Sequence, residues 1–506
     1  MDYPVWDLTI GGGMLMAIVA VSHVIVAHFA VGGGLVIAVT ETLSIRKKDP
    51  AMRDLAKNSS LMLILVSTVF GAISGVGIWV VAGLISPGAI SALIHNYLWG
   101  WAIEWVFFIV EIVAALIYWA TWGKISKAAH AMIGWIYFIA AYMSLVIING
   151  IITFQLTPGG WLSSQAFWDG FFNPTYWPSL ALRTGIAMLM AAVFMVFVAA
   201  RSAEGGRLVR YLGIWLVAGS LVSYAGYRWW EAQLHGTAKA LFLGEAPLLE
   251  QLASTRSLTL WALTVTLLLG IAFFVAAPKT LRAMVPGIVV AVAAFTFFGG
   301  YERVREGVRK PFLIHSHMFS NGLLIEDIER LNTEGLAAHA GWVTLDGTDD
   351  QVAFGRRIFL AQCAACHTRD GYQAIRTALP TVDDVIAVVA DDPPGSGALA
   401  FDAECGACHA DWTHEDMVEA LPSADEIRDD PEMILDLNEG MIYGTLVQLH
   451  EMGQTLAAMD RTAVMDLSEL PYPYMAPFVG TDEELEALVA YLKTLDPART
   501  EEGASL

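Results

Sequence analysis

Cysteine is scarce in this chain, with four in 506 residues. All four lie in two short motifs, Cys363-Ala-Ala-Cys366-His367 and Cys405-Gly-Ala-Cys408-His409. None is left over for a structural disulfide, which excludes a disulfide-stapled secreted scaffold. Charge is sparse as well before residue 300, where apolar stretches recur at lengths of roughly 20 residues, enough to cross a bilayer. The mean hydropathy of +0.54 is too high for an ordinary soluble enzyme. The start of the chain has no basic segment ahead of its first apolar run. It carries Asp2 and Asp7 instead, so no cleaved signal is expected there.

What charge there is falls unevenly. Residues 1–320 hold 20 Lys/Arg against 14 Asp/Glu, whereas residues 321–506 hold 9 against 36. The two halves therefore belong in different solvents. The acidic half repels nucleic acid and suits a basic protein donor, such as a soluble or membrane-anchored cytochrome c. It is equally compatible with acid that only keeps a domain soluble.

Apolar spans are expected near 11–40, 60–86, 98–122, 129–153, 178–200, 211–229, 256–277 and 283–301. Basic residues cluster between alternate pairs: Arg46, Lys47, Lys48, Arg53 and Lys57; Lys124 and Lys127; Arg201, Arg207 and Arg210; Lys279 and Arg282. By the positive-inside rule these loops are cytoplasmic, so both termini lie outside. Trp161, Trp168, Trp177, Trp229 and Trp230 mark the outer loops as interfacial belts. The expected fold is all-α. A polytopic membrane helix bundle occupies 1–313, a linker 314–349, and a C-terminal cytochrome c-like α domain 350–506. The segment Tyr301–Phe312 reads as the hinge between the halves, with Glu302, Glu306 and several basic residues at the lip of the bilayer.

C-x-x-C-H is the attachment signature of a c-type haem, with two thioether bonds and the His as proximal ligand. Two copies using every cysteine predict two covalent haem c groups on Cys363, Cys366, His367 and on Cys405, Cys408, His409. Covalent attachment is completed outside the inner membrane, which places this half in the periplasm of a bacterium. Residues 351–362 and 481–495 read as amphipathic helices. With Tyr474-Met475-Ala476-Pro477 between them, this order resembles class I cytochromes c. Met475 is the expected distal ligand of one haem. No Met or His stands between His367 and Cys405, so the second distal ligand must come from elsewhere. His450 is the first choice, with His414, Met441 and Met452 as rivals. The expected arrangement is one c fold from 350–379 and 470–497, with the second haem in an insertion. His315 and His317 read as surface or interface residues.

Ionisable groups inside apolar spans are costly and mark function. His23 and His28 lie in the first span, Glu104 and Glu111 in the third. The two acids are nearly two helical turns apart and share a face, while the two histidines point roughly 140° apart. A His28 held by a neighbouring backbone carbonyl is as good a reading as a ligand. Asn149 is either a polar helix contact or part of a proton path from the cytoplasm.

These residues carry a resemblance. Ser22-His23 to Gly32-Gly33-Gly34, Phe70-Gly71-Ala72-Ile73-Ser74-Gly75, Glu104 to Glu111 with Trp122, then His130, Asn149 and Thr157-Pro158-Gly159 follow the order of subunit I of cytochrome bd oxidases. Glu306-x-x-Arg309-x-Pro311 is similar to that family's E-x-G-R-Q-P-W motif. The resemblance implies b-type or d-type haems in the membrane half and further membrane subunits. It makes His23 axial ligand of the oxygen-reactive haem, with Glu104 on its distal side or ligating it. Glu111 would lie beside it, in the proton route or the b-haem environment, Glu306 would face the iron of a high-spin b haem, and Arg309 would pair with propionates. There are departures. The fifth span reads Leu182-Arg183-Thr184-Gly185-Ile186, with Ile where the family's low-spin haem ligand, a His, stands. The 230–255 loop is short for a quinol loop, although Lys239, Glu245 and Glu250 remain. The leading expectation is therefore a membrane oxidoreductase passing electrons from a periplasmic donor through the c haems to oxygen. A module passing quinol electrons outward, or a degenerate scaffold, are the alternatives.

Overall fold

The computed structural model describes residues 5–244, 250–276, 284–340, 350–371, 374–406 and 412–499. Among them, eight helices are long and apolar enough to cross a membrane: α1 (Gly12–Lys47), α2 (Pro50–Ile85), α3 (Leu98–Ala120), α4 (Lys127–Leu156), α5 (Tyr176–Ala199), α6 (Gly205–Ala232), α7 (Leu252–Ala276) and α8 (Met284–Arg309). The expected spans are all present, and the chain is a multi-pass membrane protein. Lys279 and Arg282 lie outside the described residues.

Several helices run further than hydropathy alone indicates, because local chemistry extends them. α2 begins well before residue 60. Asp49 caps it by accepting from the Met52 amide at 3.2 Å, and Pro50 fits the first helical position. Its middle, Leu65–Gly71, winds as a π-helix. The Tyr301–Phe312 stretch is no hinge over most of its length. It is the end of α8, held by the Glu302–Arg305 and Glu306–Arg309 pairs one turn apart.

α5 is the axis of the bundle. Of its span 67% is buried, against 17% in α2 and in α3. Close approach makes this possible: a Cβ on Gly32 of α1 would stand 1.8 Å from the Ala187 carbonyl oxygen of α5. Trp161 and Trp230 belong to this core rather than to an interfacial belt, whereas Trp168, Trp177 and Trp229 are exposed.

After α8, strands β1 (Phe312–Ile314) and β2 (Met318–Phe319) form an antiparallel hairpin. Helix α9 (Ile328–Glu334) follows. The 314–349 stretch is not a slack tether as far as residue 340. Leu323, Ile325, Ile328, Leu331, Leu336 and Ala340 are buried in the second core. That core also takes in α10 (Gln351–Gln362), α11 (Met433–Ala458) and α12 (Asp482–Lys493). α10 and α12 cross at backbone contact, where a Cβ on Gly355 would lie 1.8 Å from the Ala487 oxygen. The two halves meet where the Met465 amide donates to Ser316 Oγ at 2.7 Å and the Leu467 amide to Thr237 Oγ1 at 2.5 Å.

Candidate functional site

Within the membrane half, three of the four expected ionisable groups, His23, Glu104 and Glu111, are each held by a hydroxyl from a neighbouring helix. His23 Nδ1 meets Ser74 Oγ at 3.2 Å. Ser74 spends its own proton on the Phe70 carbonyl at 2.7 Å, so its oxygen can accept from Nδ1. That choice leaves Nε2 as the nitrogen to face a metal. Gly75 makes room for the ring, since a Cβ there would stand 3.1 Å from His23 Cε1. Glu104 accepts from Ser144 Oγ at 3.2 Å, and Glu111 from Tyr137 Oη at 3.1 Å. Among the described residues no hydrogen bond joins His23 to either acid.

One group was missed by sequence reasoning. Glu41 is 1% exposed, accepting from Tyr118 Oη at 2.8 Å and meeting His130 Nδ1 at 2.7 Å. The other His130 nitrogen lies 2.8 Å from the Tyr118 carbonyl oxygen. Read from the C-terminal end of α3 and the N-terminal end of α4, polar pairs stand in turn at Tyr118/His130, Glu111/Tyr137 and Glu104/Ser144. Asn149 lies further along α4 and donates to the Tyr176 carbonyl at 2.9 Å. It is a contact between the C-terminal part of α4 and the start of α5.

His28 follows the carbonyl reading in part: its Nδ1 bonds Val24 O at 2.8 Å. Its buried Nε2 has no partner, and the ring packs 4.7 Å from Phe298. The hinge acids divide differently from expectation. Glu306 is partly exposed and is engaged by Arg309, Lys310 and Arg305. Arg309 is buried, but it also donates to the carbonyls of Phe312 at 2.8 Å and Leu313 at 3.1 Å. It serves as a staple between α8 and the hairpin. The carboxylate drawn into the bundle is Glu302, one turn deeper, paired with Arg183 at 3.1 Å and Arg305 at 2.9 Å.

In the C-terminal half, Cys363-to-His367 forms a single turn closing α10, with the His367 amide donating to the Cys363 carbonyl at 2.9 Å. Cys363 and Cys366 form no disulfide. Burial, then the neighbouring Cys366, pushes the Cys363 thiol up to about 12. Gln362 and Val479 exchange two hydrogen bonds, of 2.7 and 2.9 Å. These pin the Met475 loop beside the motif, and Met475 shares a core with Cys363. His450 lies in the same neighbourhood, 6.0 Å from Phe478, with a buried unpartnered Nδ1. It therefore sits with the first motif, because α11 returns to the second core; the expectation that it serves the second haem does not match this placement. The second motif has its own small core of Val388, Phe401 and Met417 around Cys405. Cys408 and His409 lie outside the described residues. His414 is occupied by the Val388 carbonyl at 2.8 Å. His315 is 1% exposed at the junction of the halves. Burial, reinforced by His235, pushes its imidazole down to about 3.

The family "Cytochrome bd terminal oxidase subunit I" matches residues 13–207, from α1 to the start of α6. Among solved structures, the chain is similar to the bd oxidase from Geobacillus thermodenitrificans, with TM-score 0.52 and 16% identity over 59% of this chain and 87% of that one. No curated protein matches. The membrane half has the helical-bundle fold of a bd oxidase subunit I.

Proposed function

We propose that the chain is a membrane haem oxidoreductase of the cytochrome bd type, which takes electrons from a periplasmic donor through a c-type outer domain and reduces oxygen to water. The observation that supports this most is the His23–Ser74 contact inside the family-matched segment, which orients an intramembrane imidazole for a metal. The residues fit an iron porphyrin. His23 offers a nitrogen, and Cys363, Cys366 and His367 occupy a single turn with Met475 tied alongside. Haem held at these residues would supply one-electron transfer and, at an open iron position, oxygen chemistry.

The protein's own part is proton handling and positioning. Glu41, with Tyr118 and His130, receives protons near the inner face. Glu111 and Tyr137 carry them across the middle, and Glu104 with Ser144 delivers them in the outer half. Each carboxylate has a hydroxyl that holds it, so protons can pass without exposing a bare charge to lipid. In the C-terminal domain, Cys363, Cys366 and His367 would hold the first c haem. Cys405, Cys408 and His409 would hold the second c haem. The excess of acid beyond residue 320 receives a basic donor. The chain sits in the bacterial inner membrane with its C-terminal half in the periplasm, alongside further membrane subunits.

The test is a carbon monoxide difference spectrum with pyridine haemochrome analysis, together with oxygen uptake driven by a reduced basic cytochrome c. Carbon monoxide binding and uptake in the native protein, both lost in His23→Ala, are expected. Six-coordinate spectra for every haem and no uptake overturn the reading.

A further inference from the structure

Arg183 is 1% exposed, in the second turn of α5, and among the described residues its only ion pair is to Glu302 through Nη1. The guanidinium lies 5.7 Å from the Tyr301 ring centroid, and its Nε and Nη2 are buried without a hydrogen-bond partner. Across the same carboxylate stands Arg305, whose Nη1 is also buried and unpartnered. Two guanidinium groups thus share one buried acid, and Arg305 reaches Glu306 only at 3.9 Å, an acid already held by Arg309 and Lys310. The node carries a surplus positive charge and three N–H-bearing nitrogens with nothing to donate to. A buried guanidinium left in that state is costly. Close by, the unpartnered His28 Nε2 abuts Phe298, one turn before Glu302. An ion pair serving packing alone would balance its charge and satisfy its donors. This one has the composition of half a binding site.

We infer that Arg183 and Arg305, set on either side of Glu302, form a binding site for a carboxylate of a prosthetic group lodged between α5 and α8. The planar fork of a guanidinium matches a carboxylate with two parallel bonds. Arg183 is left with two adjacent donors, Nε and Nη2, which is the edge that such bidentate binding uses. Glu302 is then the protein's own acid shared by the two forks, one carboxylate short of balancing them. A haem propionate has this chemistry, and so has a small free carboxylate. The inference rests on the reading under Proposed function, since it needs a non-covalent haem in the membrane half.

The experiment compares Arg183→Gln, Arg183→Lys and Glu302→Gln in the full chain. It reads non-covalent haem per covalent haem by pyridine haemochrome, and the midpoint potential of the non-covalent haem. The covalent haems on the same polypeptide report folding. Losing a charge-assisted contact in Arg183→Gln should weaken haem retention about tenfold or shift the potential downward. Arg183→Lys should recover part of the loss, and Glu302→Gln should retain haem, because the ligand carboxylate replaces the missing acid. Equal loss in Arg183→Gln and Glu302→Gln identifies a plain structural ion pair and overturns the site. Unchanged haem content and potential in Arg183→Gln, with added acetate altering its thermal stability less than that of the native protein, assigns the site to a small free carboxylate and overturns the haem assignment. A native protein with no non-covalent haem at all sinks the proposed function itself, a result read before any variant is made.

Discussion

Single residues decide where protons and metal ligands stand. Glu104→Gln is expected to abolish oxygen uptake while leaving c-haem spectra intact. Ser144→Ala removes one hydrogen bond, worth about 1 kcal/mol, and should slow uptake by no more than about tenfold. Stopped-flow reoxidation of the reduced protein checks both, and a Ser144→Ala variant as dead as Glu104→Gln would count against the hydroxyl-held ladder. At this scale the sequence is legible only in part. His23, Glu104 and Glu111 stand out because they interrupt apolar runs. Glu41 does not, because it precedes Arg46-Lys47-Lys48 and looks like the acid flank of a cytoplasmic loop. It is buried because α1 runs on to Lys47. Glu302 and Glu306 lie one turn apart on nearly the same face, so periodicity cannot rank them. Depth does, and depth is set by Arg183, more than a hundred residues away.

Helices set the next scale. The α10–α12 crossing depends on Gly355, and Gly355→Leu should destabilise the outer domain by about 3 kcal/mol, because the Ala487 carbonyl blocks any side chain. A guanidinium melt followed at the c-haem Soret band measures this, and an unchanged midpoint rejects the crossing. The junction should respond to pH. His315 has its folded value near 3, below the ordinary 6.5. The unfolded state thus takes up the proton first. Stability contributed by the buried neutral ring is full above pH 6.5 and falls as pH drops from 6.5 toward 3. His315→Phe should flatten that slope, measured by thermal melts across the range. Asp466 and His235 also bear on this ring, so His235→Gln is the control. Elements were largely foreseeable from hydropathy and capping. What hydropathy could not show was the return of α11, which carries His450 to the second core, or the packing of residues 323–340, whose apolar residues look sparse until two helices close over them.

At the scale of the molecule, the two halves carry net charge of opposite sign. The outer half carries 36 acids against 9 bases. Oxidation of a basic cytochrome c should therefore slow as ionic strength rises, since the screening length is about 10 Å at 0.1 M salt. Rates flat from low to high salt would show that the acid serves solubility alone.

The π-wound Leu65–Gly71 segment bears on all three scales. It ends three residues before Ser74, and the helix beyond it presents Ser74 and Gly75 to the imidazole of α1. A π turn stores one surplus residue. Shortening the chain by one between Leu65 and Phe70 would let this stretch rewind as ordinary α-helix and swing everything downstream by roughly 100°. The serine would then look at lipid while the histidine lost its anchor, with hydropathy and length scarcely altered. Spectral loss from that single deletion, in a protein still inserted and still carrying its tethered porphyrins, would mark the segment as a registration device.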